Sequence, residues 1–218
     1  MPDSAVLTFT DPDAYYTSIR GAQVDGIVTS GGNFRVKWTG IQLDRLAMQR
    51  SEETLPRVAH NAIDPKVYGI LFAANPRQPS GYVRGLELSP ADIIVYGVGS
   101  VGHNRSPAAF KWGTVALLHE DLAAAAEALI GRELTAPSFT QRIRPTALLM
   151  SRLLNLHEAA SHLAETVPDI LAKPEVARSD LLYLILGMRS SIARVGDKLR
   201  ERPALDLVRR PCERWSRL

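Results

Sequence analysis

The sequence predicts an α+β protein in which an antiparallel β-sandwich or barrel comes first and two or three α-helices follow. Short apolar runs recur at about ten-residue spacing through residues 1–118. Turn-rich segments such as 75–81 and 89–92 separate these runs without an intervening helical pattern, which favours antiparallel β-structure over β-α-β units. After Leu118 the hydrophobic period changes to that of a helix.

The predicted strands rest on alternation and on turn residues. Residues 33–42 alternate between apolar side chains such as Trp38 and basic ones such as Lys37, which indicates a half-buried strand. A Gly-Gly pair at 31–32 predicts a turn that joins this strand to residues 24–29 in a hairpin. Further strands are predicted at residues 43–49, 55–63, 67–73, 82–88, 93–98 and 108–118.

The first predicted helix starts at residue 119. Glu120 and Asp121 lie in its first turn, where acidic side chains interact favourably with the helix dipole. Gly131 is placed to end it.

A second, longer helix is predicted over residues 144–166, because apolar side chains recur there at helical spacing. This stripe could pack back on the β-body or against a second copy of the chain, and its members are the dimerisation candidates Leu149, Leu153, Leu156 and Ala160. A third helix is expected to begin near Pro174, followed by an irregular basic tail at residues 187–218.

Composition limits the function classes. The chain has 218 residues, 45% of them hydrophobic and 22% charged, which is typical of a globular protein, and no segment is long and apolar enough to span a membrane. We therefore expect a cytoplasmic protein. Cys212 is the only cysteine, which excludes an intramolecular disulfide and a cysteine-based zinc site. Of the 26 basic residues ten lie after residue 177, so the body is slightly acidic and DNA binding by this chain alone is disfavoured.

Common catalytic and nucleotide-binding motifs are not supported. Residues 97–102, GVGSVG, have the spacing G-x-G-x-x-G, but a dinucleotide site needs a helix to start at the last glycine. A strand-like run follows instead, so the glycines indicate a bend. We find no serine nucleophile elbow and no plausible cysteine nucleophile, and we expect no catalytic residues and no cofactor.

His103 follows that bend and is open to three interpretations: a structural or surface residue, a contact to an organic ligand, or a metal ligand. A catalytic metal needs three or four converging donors, and the chain has no His-x-His pair, so we expect no metal. Aromatic residues of the β-body are either core residues or the walls of a ligand cavity. The ligand-binding candidates are therefore His103, Trp112, Tyr96, Trp38 and His60.

Four runs of the chain, at 9–60, 85–106, 110–134 and 153–179, together resemble the N-terminal regulatory region of AraC-type bacterial transcriptional regulators. The features shared with one subgroup are Asp-x-Asp at 11–13, Leu-Pro-Arg at 55–57 and Pro-Glu-Val-Ala-Arg at 174–178. The resemblance implies an N-terminal antiparallel cupin-like β-barrel followed by two or three α-helices. The barrel, residues 1–118, would sense a small effector, and a helical region, residues 119–186, would pair two subunits.

Regulators of this type continue into two helix-turn-helix units, and residues 180–218 do not resemble one. We therefore expect a truncation or a changed reading frame after Ser179. The expected function is that of an effector-sensing module that forms a homodimer, is not an enzyme and reaches DNA only through a helix-turn-helix domain absent from this chain. The alternatives are a metal-dependent cupin enzyme, such as a dioxygenase or isomerase, and a scaffold without an effector.

Overall fold

The computed structural model describes residues 4–43, 45–131 and 134–168, which form two antiparallel sheets and three helices. The elements in chain order are β1 (Ser4–Phe9), α1 (Pro12–Ser18), β2 (Ala22–Val28), β3 (Val36–Leu43), β4 (Leu46–Glu53), β5 (Arg57–Ile63), β6 (Val67–Ala73), β7 (Gly81–Val83), β8 (Leu86–Leu88), β9 (Ile93–Val95), β10 (Val101–Ser106), β11 (Phe110–Leu118), α2 (His119–Ile130), β12 (Gln141–Ile143) and α3 (Ala147–Thr166). This confirms the α+β class.

The strands form two separate sheets. The seven-stranded sheet has the order β1-β3-β4-β11-β6-β9-β12, and the five-stranded sheet has the order β2-β5-β10-β7-β8. Every pairing is antiparallel. Each sheet keeps two edge strands and neither closes on itself, so the structure supports a two-sheet sandwich and leaves a closed cupin barrel unconfirmed.

The seven-stranded sheet is the middle of three layers. One face packs on the five-stranded sheet and α1, through a cluster that includes Trp38, Phe110 and Trp112. The other face packs on α2 and α3. Because successive side chains of a strand point to opposite faces, β11 sends Trp112 to the first cluster and Val115 to the second. Trp38 packs inward as predicted, but the opposite face of β3 is buried too, at Thr39, because α3 covers it.

The amphipathic stripe of α3 packs on the seven-stranded sheet of its own chain. Leu153 and Ala160 are buried there, and Leu149 and Leu156 are half-buried against the same cluster. Thr146 caps the helix by accepting a hydrogen bond from the Leu149 backbone N–H. Of the two partners that the sequence allowed for this stripe, the structure places the β-body against it.

Helix α2 forms as predicted. Glu120 and Asp121 lie in its first turn, and Gly131 ends it in the left-handed conformation, at a φ of 61°, where a residue without a side chain carries no steric penalty.

Three sequence-based expectations about the β-body are wrong. Strands β2 and β3 do not form a hairpin, because the glycine-containing segment between them crosses from the five-stranded to the seven-stranded sheet. Two predicted strands are each divided by a turn: 43–49 spans the end of β3 and the start of β4, and 82–88 spans β7 and β8. A helix, α1, interrupts the strands after β1; Asp11 caps its N-terminus and Pro12 follows.

Strand β12 follows α2 in the sequence and pairs with β9, so the chain after residue 118 also contributes to the seven-stranded sheet. In the described part of the chain no helix is both long and apolar enough to cross a membrane. The helix expected near Pro174, the rest of the region to residue 186 and the tail at 187–218 lie outside the described residues.

Candidate functional site

A cavity of about 80 Å³ lies between the two sheets. Its walls are mainly apolar and include Leu71, Val83, Leu88 and Phe110. A groove of about 380 Å³ adjoins it and shares four lining residues with it, namely Arg20, Gly21, Val67 and Ala116. An apolar cavity with a few polar side chains is the usual form of a small-molecule site.

Two of the predicted ligand-binding residues, Tyr96 and Trp112, line this cavity. Trp38 belongs to the same inter-sheet core but is not part of the cavity wall; its ring lies over Gly40, where a Cβ would clash with it.

His60 and His103 lie on the opposite face of the five-stranded sheet. They are directly cross-strand, their ring centroids are 5.2 Å apart and both are exposed. The alternation of β5 explains this position, because Arg57 and Asn61 line the cavity and His60 therefore points away from it. Among the described residues, no group of three or more His, Cys, Asp or Glu side chains is arranged to hold a metal ion.

A charged network is buried next to the cavity, centred on Glu53 at the end of β4. Glu53 Oε2 accepts a hydrogen bond from Arg57 Nε at 2.6 Å. Glu53 Oε1 accepts two more, from Tyr15 Oη and from Trp112 Nε1, both at 2.6 Å. Ser51 shares the Tyr15 hydroxyl at 2.8 Å. Because every oxygen of the carboxylate has a partner, the buried charge is compensated.

The charge states of this network follow from burial and pairing. Burial lowers the pKa of the Arg57 guanidinium, but the charge of Glu53 and its hydrogen bond outweigh burial, so the net pKa is raised and Arg57 stays protonated. Burial and then the Glu53 charge raise the pKa of Tyr15 well above its usual value, so Tyr15 stays a neutral donor. Arg57 also lies over the ring of Tyr16, 5.9 Å from its centroid.

Some polar groups of the cavity wall lack a partner. Arg57 Nη1 and Thr114 Oγ1 are buried and have no hydrogen-bond partner among the described residues. The Tyr96 hydroxyl accepts a bond from Asn104 Nδ2 at 3.1 Å, which leaves its own proton available. Burial raises the pKa of Tyr96, so this hydroxyl stays protonated. Arg57 Nη1 and Thr114 Oγ1 can therefore form hydrogen bonds with a molecule that enters the cavity.

The cavity is connected to α3 through His157. The His157 ring is fully buried, and its Nε2 lies 3.1 Å from the backbone oxygen of Gln49. Thr114 lies directly opposite Gln49 on β11, and its backbone also raises the pKa of this histidine. The side chains of Gln49 and Thr114 line the cavity on the other face of the sheet. Gly113 leaves room for the ring, since a Cβ there would lie 2.8 Å from His157 Cε1.

Gln49 also fixes the segment between α1 and β2. Its side-chain oxygen accepts a hydrogen bond from the Arg20 backbone N–H, and its nitrogen donates one to the Arg20 carbonyl, both at 2.9 Å. Arg20 lines both the cavity and the adjoining groove. A single side chain of β4 therefore holds one rim of the cavity in place.

Sequence reasoning did not find the residues of the buried network. Glu53 and Arg57 are four residues apart on either side of the turn at 54–56, and charged residues there read as a solvated connection. The available signal was the set of polar residues at every second position of β4, Gln49, Ser51 and Glu53. That pattern does not say which face is buried.

Comparisons with known proteins support the fold. No protein-family model matches the chain, and neither does any curated protein. The crystal structure of the AraC-like transcriptional activator CuxR is similar, with a TM-score of 0.50 and 14% identity over 86% of this chain and 70% of that one. The chain has an AraC-like fold.

Two plant proteins are more distant structural matches. The 7S globulin of Momordica charantia has a TM-score of 0.26 and 10% identity over 69% of this chain and 45% of that one. Vicilin of Corylus avellana has a TM-score of 0.20 and 13% identity over 63% and 34%. Neither score is high enough to support an argument about function.

Proposed function

We propose that this chain is the effector-sensing module of an AraC-like transcriptional regulator and that the effector binds between the two sheets. The observation that supports this most directly is the cavity itself, whose apolar wall carries buried polar groups without partners. The similarity to the AraC-like activator adds the class of protein in which such a sandwich would act.

In this proposal α3 transmits the occupancy of the cavity. His157 binds the backbone of β4 at Gln49 and lies against β11 at Gly113. Two ion pairs join the same helix to the seven-stranded sheet. Glu158 Oε2 lies 2.6 Å from Arg50 Nη1 on β4, and Glu165 Oε1 lies 2.7 Å from Lys37 Nζ on β3. A ligand that shifts β4 or β11 therefore shifts the anchor points of α3.

A homodimer is also part of the proposal. Since the apolar stripe of α3 is used within the chain, the outward face of this helix, with Leu148, Arg152 and Asn155, is the part left for a second copy. We propose that operator DNA is read by helix-turn-helix units rather than by the sandwich.

The test is a ligand screen read by thermal unfolding of the full chain. A compound that binds only the folded state raises the melting temperature, by an amount that grows with its concentration over its dissociation constant. We expect a stabilising compound in a panel of sugars, aromatic acids, fatty acids and small neutral ketones.

Two leucine variants locate the binding site. Ala116 lines the cavity, so Ala116→Leu fills it and should abolish the stabilisation. Ala62 lies between Asn61 and Ile63, which line the cavity, and therefore faces outward; Ala62→Leu adds the same volume there and should retain the stabilisation. A panel without a stabilising compound, or one whose effect survives Ala116→Leu, would contradict the proposed function.

A further inference from the structure

We propose that the cavity binds a compact, electrically neutral ligand whose apolar body carries an oxygen acceptor such as a carbonyl. This inference rests on the proposed function and adds the chemical class of the effector. It follows from three properties of the described wall: its surplus of donors, its charge balance and its size.

The surplus of donors is evident from the polar groups of the wall. Gln49 is used by the backbone of Arg20, Asn61 donates to the Ala59 carbonyl, and Asn104 donates to Tyr96. The buried atoms of the described wall that have no hydrogen-bond partner are Arg57 Nη1, which can only donate, and the Thr114 hydroxyl, and the Tyr96 hydroxyl has a proton to donate. A ligand that satisfies them must supply acceptors.

These donors come from both sheets. Arg57 lies on β5 of the five-stranded sheet and Thr114 on β11 of the seven-stranded sheet. An acceptor bonded to both would bridge the two layers of the sandwich. Such a bridge reaches β11, which lies against the His157 ring at Gly113 on its other face.

The charge balance favours a neutral acceptor over a carboxylate. Glu53 is fully buried and lies 2.6 Å from Arg57, so the charge of the guanidinium is already compensated. A carboxylate in the cavity would place a second negative charge close to Glu53, at the cost of its own desolvation. The other two arginines of the wall, Arg20 and Arg105, are exposed, so their charges would be screened by solvent.

The size of the cavity sets the scale of the ligand. A volume of about 80 Å³ corresponds to on the order of half a dozen water-sized positions, which suits a single small ring. The apolar wall, with Leu71, Phe110 and Trp112, fits the body of such a ring. The adjoining groove leaves space for a substituent.

Three probes of matched shape test this class: cyclohexanone, cyclohexanecarboxylate and cyclohexane. Each is titrated into the ¹⁵N-labelled full chain, and binding is followed at the indole N–H of Trp112, which lines the cavity and donates to Glu53. We expect cyclohexanone to bind at least about tenfold more tightly than the other two. Removal of one hydrogen bond should weaken it roughly five- to tenfold.

Thr114→Val and Tyr96→Phe each remove one donor and keep the side-chain volume nearly constant. Both should weaken cyclohexanone and leave cyclohexane unchanged. His103→Ala, on the outer face of the five-stranded sheet, is the control and should change neither.

Tighter binding of the carboxylate would overturn the ligand class and leave the sensor proposal intact. The same conclusion would follow if cyclohexanone bound equally well to both donor variants. Failure of all three probes would also overturn the ligand class, and the wider thermal screen then decides the proposed function separately, because it includes sugars and acids.

Discussion

The two faces of the seven-stranded sheet use the same strands for different purposes. The face toward the helices is built mainly from apolar side chains such as Met48, Phe72 and Val115, with Arg50 paired to Glu158 of α3. The face toward the five-stranded sheet has apolar residues too, but it also carries Gln49, Ser51 and Glu53 on β4 and Thr114 on β11. Alternation along a single strand therefore separates a packing surface from a polar, partly hollow one.

This difference has an energetic meaning. The helix face gains stability from apolar burial and close packing. The cavity face holds a buried ion pair, whose desolvation offsets much of its attraction, and the Thr114 hydroxyl, which has no hydrogen-bond partner among the described residues. These polar residues contribute little net stability, yet they lie at the centre of the molecule. A binding function would explain why they are there.

The largest loss of stability is expected when a substitution breaks the ion pair on the cavity face. Glu53→Gln leaves the buried charge of Arg57 without its partner and should lower the free energy of unfolding by about 3–5 kcal/mol. Glu52→Gln is the matched control on the same strand, since Glu52 is partly exposed and pairs with Lys111 at 2.7 Å; we expect a loss of no more than about 1 kcal/mol. Urea denaturation measures both, and equal losses would contradict the contrast.

The next effect tests the helix face. Leu153 is completely buried between α3 and the sheet, so Leu153→Ala should cost about 2–5 kcal/mol through lost burial and the cavity that remains. Leu148, on the same helix, is 63% exposed in the single chain, and Leu148→Ala, measured at a concentration where the chain is monomeric, should change stability by no more than about 0.5 kcal/mol. Size-exclusion chromatography with light scattering checks that the oligomeric state is the same in both variants. If both variants then lose similar stability, α3 is not packed on its own sheet.

How far the sequence could predict this molecule depended on the length and the context of each pattern. The twelve residues of α2 show a full helical period, an acidic first turn and a terminal glycine, and their prediction was confirmed. The seven residues of α1 span two turns, too few for a period to appear among strands. Strand pairing was less accessible still, because β2 pairs with β5 and brings together residues as distant in the sequence as Ala22 and Ile63, 41 positions apart.

The candidate site was predictable only in part for a related reason. Aromatic residues of a β-body face inward on average, and both Tyr96 and Trp112 do. The face on which His60 and His103 lie depends on the strand register. A change of one residue in the register moves every side chain of the strand to the other face. The pairing of Glu53 with Arg57 depends on the path of the turn between β4 and β5, which composition does not encode.

A pH-dependent effect connects the two faces through His157. Burial and then the charge of Arg50 lower the pKa of His157 to about 4, although backbone hydrogen bonds raise it in part. In the unfolded chain this pKa is about 6.5, so between pH 6.5 and pH 4 only the unfolded state binds the proton. The free energy of unfolding should therefore fall as the pH falls through this window, by on the order of 3 kcal/mol.

His157→Gln removes this contribution, so its loss of stability between pH 7 and pH 4 should be smaller than that of the native chain. His162→Gln, at an exposed position of the same helix, should keep the native pH dependence. The free energy of unfolding is measured with denaturant at a series of pH values for each variant and for the native chain. The difference between variant and native chain separates the contribution of His157 from that of the carboxylates. Parallel curves for the native chain and His157→Gln would refute a buried neutral His157.

The smallest expected effect is the sharpest test of the comparison, because it uses two adjacent residues of β11. Val115 is fully buried on the helix face, so Val115→Thr places a hydroxyl among apolar side chains and should cost about 1–3 kcal/mol. Thr114→Val replaces a hydroxyl that has no partner among the described residues, and it should leave the free energy of unfolding unchanged or raise it by up to about 1 kcal/mol. A comparable loss from both substitutions, measured by urea denaturation without added ligand, would show that Thr114 supports the fold itself. A loss from Val115→Thr alone would mean that the Thr114 hydroxyl does not stabilise the empty sandwich, and its presence in the cavity wall would then be explained by what the cavity binds.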